Sequence, residues 1–166
     1  MIRIEAEAGR LCHQGRDFRA VVGRGGVVPS ANKLEGDGAT PLGSYRIVGA
    51  LLRPDRVMVP RMTLPWRWLR PWDGWSDDPL DPQYNRPVSH PHRFRAERLW
   101  RADHVYDVIL ATSHNSAPVV PGLGSAIFLH LARSDWAPTA GCIAVTFETM
   151  LEILPRLLPD EELEII

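Results

Sequence analysis

The sequence predicts a mainly β protein, a sandwich or barrel-like sheet with one clear helix near the C-terminus and a long proline- and tryptophan-rich loop insertion. Three observations lead there. Short runs of valine, isoleucine, tyrosine and phenylalanine recur between glycine and proline breaks. Only one stretch carries the apolar spacing of an amphipathic helix. The chain has 166 residues, and because a typical domain runs ~100–150 residues, one domain over 1–166 is expected.

The first forty residues read as short β segments, "IRIEA" and "FRAVVG", separated by turns such as "GDG". "GSYRIVGALLR", residues 43–53, follows as a strand because Tyr45, Ile47 and Val48 favour extended backbone. "YDVILATS", residues 106–113, reads as a buried central strand, and "SAIFLHLA", residues 125–132, as another core strand. Thr146 can cap a helix in which Phe147, Met150, Leu151 and Leu154 fall on one face, with Pro155 ending the regular turns. The tail "LEII" is expected to return as an edge or closing strand.

Between Pro60 and Pro91 lie seven of the fifteen prolines and four of the six tryptophans. Proline lacks the N–H that a ladder needs, so this section is expected to be mostly loop. Four tryptophans oppose disorder, which makes it an ordered insertion packed on the sheet.

Composition narrows the function. Hydrophobic residues make up 45% and charged residues 23%, as in an ordinary globular protein, and the formal charge of −1 gives no electrostatic footprint for nucleic acid or an acidic membrane. No stretch reaches the ~20 apolar residues of a membrane span, and "MIRIEAEAGR" carries acidic residues where a signal peptide has its apolar core. Two cysteines, Cys12 and Cys142, exclude a disulfide-stapled scaffold. Cys12 precedes a polar turn and reads as a half-buried structural residue.

Cys142 is different. It opens the apolar segment "CIAV" directly after Gly141, twelve residues beyond His130 at the end of "SAIFLH". A thiolate nucleophile needs a base or positive potential nearby, and a connection of eleven residues could bring the cysteine back to the histidine. Gly141 would clear an approach for a carbonyl, and N–H groups near 140–142 could stabilise an oxyanion. On spacing alone, a buried structural cysteine fits equally well. The catalytic alternative carries the expectation of a thiol more acidic than a free one.

"APTAGCIAV", residues 137–145, resembles the Ser/Thr-x-Gly-Cys segment of the L,D-transpeptidase (YkuD-type) catalytic domain, with His130 at the place of that family's upstream histidine. "GDGATPLGSYRI", residues 36–47, resembles the Thr-Pro-x-Gly-x-Phe/Tyr stretch of the same domain, and "DGWSDDPLDPQYNRPV" is similar to compact proteobacterial members. Two motifs in the right order, about a hundred residues apart, are far more specific than either alone. The resemblance implies a YkuD-like β fold and a cysteine acyltransferase of the cell envelope or periplasm. It also implies that Cys142 attacks a peptidoglycan stem peptide to form a thioester, which the amine of a second stem resolves, giving 1,3- or 3,3-type cross-links. His130 would move the protons, oriented by a carbonyl or side chain near Leu131. Hydrolysis of the same thioester, or a non-catalytic wall-binding domain, are the alternatives.

The chain departs from the commoner family pattern, which has histidine at the position of Ala140 and arginine or asparagine after the cysteine, where Ile143 and Ala144 stand here. The interval from His130 to Cys142 is also shorter than usual. Candidate substrate-binding residues are Thr139 in the cysteine motif, His114 and Asn115 after the 106–113 strand, Tyr84, Asn85 and Arg86 in "YNRP", and Trp75 in "PWRWLRPWDGW". Each has a plain alternative: loop histidine, turn residues, or packing anchor. Arginine pairs with carboxylates in bidentate fashion, and tryptophan can stack on sugars. The His90/His92 pair lacks further ligands for zinc. No metal or cofactor is expected, the partners are donor and acceptor stem peptides, and a monomer is expected.

Overall fold

A computed structural model describes residues 1–166. Its strands are β1 (Ile2–Glu5), β2 (Arg10–His13), β3 (Arg16–Arg19), β4 (Val27–Pro29), β5 (Thr40–Leu52), β6 (Trp66–Trp68), β7 (Asp73–Ser76), β8 (Pro87–Ser89), β9 (Ala96–Arg98), β10 (Val108–Thr112), β11 (Phe128–Leu131) and β12 (Ile143–Val145). Helix α1 (Phe147–Ile153) and strand β13 (Glu162–Ile165) complete the chain. The main sheet runs β12-β11-β10-β5-β13-β1-β2-β3, with β4 and β6 also paired to β5. Just after β3, Val21 exchanges both backbone hydrogen bonds with Ala144 of β12, at 2.9 and 2.8 Å, so the two ends of the sheet meet in a nearly closed barrel.

Period-two alternation sorts the side chains into two layers. Val108, Leu110, Leu129, Leu131, Ile143 and Val145 point into the barrel with Ile2, Ile4, Leu163 and Ile165. Ile109, Ala111, Phe128 and Cys142 point outward, into a second cluster with Leu69, Leu99 and Tyr106. Strands buried on both faces lose the polar alternation of a half-exposed strand, which is why "VILAT" and "IFLH" read as continuous apolar runs.

The outer layer is covered by the insertion, which is mostly loop, as expected, and is ordered around three short strands. Residues 60–91 contain β6, β7 and β8, and β7 pairs with both β8 and β9 in a separate three-stranded sheet. Pro87 opens β8, at a strand end where a missing N–H costs no internal ladder bond. Trp75 of β7 meets Phe128 edge-on, with centroids 5.1 Å apart, and anchors this sheet to the barrel.

One expectation is corrected. The Thr146 hydroxyl does accept the Thr149 N–H at 3.1 Å, but the buried face of the helical segment is Met150, Ile153 and Leu154, and Leu151 is exposed. After α1 the chain passes into a 3₁₀ turn at Leu154–Arg156, and the buried stripe Met150, Ile153, Leu154 and Leu157 keeps the i, i+3, i+4, i+7 spacing, which leaves Leu151 outside it. Of the two places expected for the C-terminal strand, the closing one is found: β13 joins β1 to β5, with Leu163 and Ile165 fully inside.

Candidate active site

Strands β11 and β12 are parallel, with Leu129 opposite Ile143 and His130 opposite Ala144. A parallel neighbour must start from the same end, so residues 132–142 form the return crossing. That register puts His130 and Cys142 on the outer face as diagonal neighbours, and both line a cleft of about 400 Å³ between the barrel and the insertion. Both are buried.

The imidazole is oriented by its own strand. His130 Nδ1 lies 2.9 Å from the Leu131 carbonyl oxygen, and a carbonyl only accepts, so Nδ1 carries the proton and Nε2 is left as the basic nitrogen. The Tyr106 ring meets the imidazole edge-on at 5.2 Å. Burial pushes the His130 pKa down to about 4, despite the Leu131 hydrogen bond. The Cys142 thiol donates to the Ala126 carbonyl at 3.0 Å, and the Phe128 N–H points at the sulfur from 3.4 Å. Burial, with Glu97 adding to it, pushes that thiol up to about 12. The expectation of an acidified thiol is therefore overturned: water exclusion disfavours the thiolate and the imidazolium alike, and at neutral pH both groups are uncharged.

The loop before Cys142 is tightly bound. Gly141 has φ of 138°, where a side chain is strained, and an added Cβ would stand 2.9 Å from the Ala39 carbonyl oxygen. Thr40 donates its hydroxyl to the Gly141 carbonyl at 2.8 Å and accepts the Gly23 N–H at 2.9 Å. The Thr-Pro-Leu-Gly stretch and the cysteine stretch, a hundred residues apart in sequence, are thus in direct contact. Thr139 accepts the Gly141 N–H at 3.0 Å and donates to the Cys142 carbonyl at 2.6 Å, so it shapes the loop from within. The Cys142 and Ala140 N–H groups take no part in the hydrogen bonds of the fold.

The remaining sequence candidates do not converge on the cleft. Asn85 is buried and saturated: its Oδ1 accepts the Trp75 indole N–H at 2.9 Å and the Ala126 N–H at 3.0 Å. Its Nδ2 donates to the carbonyls of His114 and Asn115, at 3.0 and 2.8 Å. Asn115 closes its own loop onto Val120 and Gly124. His114 Nε2 meets the Leu123 carbonyl at 3.2 Å, and burial lowers its pKa. Arg86 reaches the Ser116 carbonyl, at 3.0 Å. Trp75 lines a separate apolar groove with Trp66 and Leu99. Tyr84 touches the cleft only through Glu35, whose carboxylate accepts its hydroxyl.

Sequence reasoning missed most of the cleft wall. Arg24, Lys33, Glu35, Asp77, Arg95, Glu97 and Tyr106 line it beside Ser125 and Ala140. Arg95 pairs with Asp77 at 3.0 Å, and Lys33 pairs with Asp37. Tyr106 donates its hydroxyl to Glu97 at 2.6 Å, and burial holds the Glu97 carboxyl above its ordinary range. These residues come from turns and from the insertion, where charge carries no periodic signal; only Tyr106, at the mouth of a readable strand, stood where attention could have fallen.

The profile of the YkuD family, the L,D-transpeptidase catalytic domain, matches residues 5–165. The chain belongs to this family. No curated protein and no solved structure gives a significant match. Within the L,D-transpeptidase family, whose members act on peptidoglycan, this chain's two alanines now have places. Ala140 lines the cleft at the crossing loop, and Ala144 sits opposite His130 on the same face. No helix is long and apolar enough to cross a membrane.

Proposed function

We propose that this L,D-transpeptidase-family protein cross-links peptidoglycan stem peptides through a Cys142 thioester, in the cell envelope. One observation carries the reading: the register of β11 and β12 brings Cys142 and a His130 with a free basic Nε2 to one charged, water-poor cleft. The thiol turns from the Ala126 carbonyl towards His130 as a stem carbonyl enters. Because neither group is charged at rest, the proton passes to Nε2 as the C–S bond forms, and then to the departing amine as the C–N bond breaks. The Cys142 and Ala140 N–H groups are the donors open to the oxyanion. In the second half, the amine of another stem attacks the thioester carbonyl, His130 takes its proton, and the sulfur leaves and recovers it. The positive group at Arg24 suits the carboxylates of the donor stem.

Incubation with purified muropeptides, followed by mass spectrometry, tests this. Cross-linked dimers are expected, and the fragment masses identify 3,3- or 1,3-type bonds. Shortened monomers would instead establish hydrolysis, and unchanged muropeptides a binding domain. Full dimer formation by Cys142→Ala would refute the nucleophile.

A further inference from the structure

A transpeptidase must admit two substrates to one sulfur, and the second is a cation. The acceptor's primary amine has an ordinary pKa of about 10.4, so it arrives as an ammonium and must shed a proton before it can attack. An uncharged imidazole does not attract it. Something else on the wall must.

A second cavity, of about 250 Å³, lies beside the cysteine cleft and shares Glu97, Tyr106, His130 and Ala140 with it. Glu97 is the one carboxylate that lines both; Asp77 and Glu35 line only the cleft, and Asp77 is committed to Arg95. Tyr106 fixes the arrangement, since its hydroxyl holds Glu97 Oε1 at 2.6 Å while its ring lies against His130. Glu97 Oε2 accepts no hydrogen bond from the protein. Two arginines also line this cavity, and each is paired with a carboxylate: Arg101 with Asp103 at 2.8 and 2.6 Å, and Arg133 with Asp135 at 3.4 Å. Ala140 lines both cavities and puts only a methyl group between them.

We propose that the second cavity is the entrance for the acceptor, and that Glu97, delivered by β9, receives its ammonium there. The inference rests on the acyl-transfer reading above. The ammonium gives one proton to the Glu97 carboxylate, and the resulting neutral amine attacks the thioester carbonyl. Its second proton goes to His130 Nε2 as the C–N bond forms, and on to the Cys142 sulfur as the C–S bond breaks. Glu97 then releases its proton to water, so atoms and charge balance. The buried carboxyl, more basic than an exposed one, suits that task.

Two measurements on the full chain test it separately from the thioester chemistry. Binding of Nα-acetyl-lysine, which carries a primary ammonium, is followed by NMR titration against the neutral Nα,Nε-diacetyl-lysine. Wild type is expected to prefer the cation, with its shifts centred on Tyr106, His130 and Ala140. Glu97→Gln should lose that preference at least tenfold, and Glu97→Asp should recover part of it. In turnover, Glu97→Gln should lower kcat/KM for the ammonium acceptor at least tenfold relative to hydroxylamine, which is neutral at pH 7.5. An unchanged preference in Glu97→Gln, in either assay, overturns the role of Glu97. Absence of any thioester on wild-type Cys142 overturns the acyl-transfer reading instead, while the binding arm still decides Glu97.

Discussion

Asn85 separates a structural from a substrate-binding role more sharply than any other residue. Its amide makes four internal hydrogen bonds, two through Oδ1 and two through Nδ2, and its backbone has φ of 53°. Asn85→Ala leaves the Ala126 N–H, the Trp75 indole and two carbonyls unpaired. At about 1 kcal/mol net for each bond, the loss is about 4 kcal/mol. Alanine in the left-handed region, which asparagine tolerates, adds about 1 kcal/mol. A total near 5 kcal/mol is a third or more of the ~5–15 kcal/mol that holds a domain together. In a chain of this size it corresponds to a fall in Tm of about 10–20 °C. Urea unfolding followed by tryptophan fluorescence measures it directly, because Trp75 is one of the partners. The same substitution frees Ala126, whose carbonyl holds the Cys142 thiol, so acylation should slow as well. A loss of stability below about 1 kcal/mol, together with a raised KM for stem peptide, would refute this reasoning and make Asn85 a substrate contact.

Other expectations follow from the same geometry. Gly141→Ala forces a Cβ into the left-handed backbone against the Ala39 carbonyl, and should cost about 2–3 kcal/mol in urea unfolding and abolish thioester formation. A thiol held near 12 should react with iodoacetamide at pH 7 about a thousandfold more slowly than free cysteine, with the rate rising tenfold per pH unit to pH 10; a plateau below pH 8 would show an acidified thiol instead. His130 is held near 4 when folded and has an ordinary value near 6.5 when unfolded, so the unfolded state binds the proton first as pH falls. Stability is therefore full above pH 6.5 and is lost as pH falls towards 4, by on the order of 3 kcal/mol. Urea midpoints at pH 7.5 and 4.5 should show a smaller difference in His130→Gln than in wild type.

How much of this was legible depends on the range of the forces involved. The strands around Ile2–Glu5, Thr40–Leu52, Val108–Thr112 and Phe128–Leu131 were readable because β-branched and aromatic residues crowd into short runs. The helix cap at Thr146 was readable because a cap is a contact three residues long. Leu151 was misplaced because two stripes share the i, i+3, i+4, i+7 spacing, one starting at Phe147 and one at Met150, and only packing selects Met150, Ile153, Leu154 and Leu157. The insertion was legible as mostly loop because proline supplies no ladder N–H, whereas the strand ends that its prolines occupy were not legible.

By itself, the sequence determined the β class and the pair of motifs, and it singled out Cys142 and His130 as candidates, since each is written in adjacent residues or in a recognisable spacing. The tertiary structure alone decided that Thr40 touches Gly141, that Asn85 is a structural hub, and that Glu97 and Tyr106 stand beside the imidazole. It also decided the charge state of the pair. A thiol and an imidazole become harder to ionise only when other segments remove their water, and the segment that covers this cleft lies some fifty residues away along the chain.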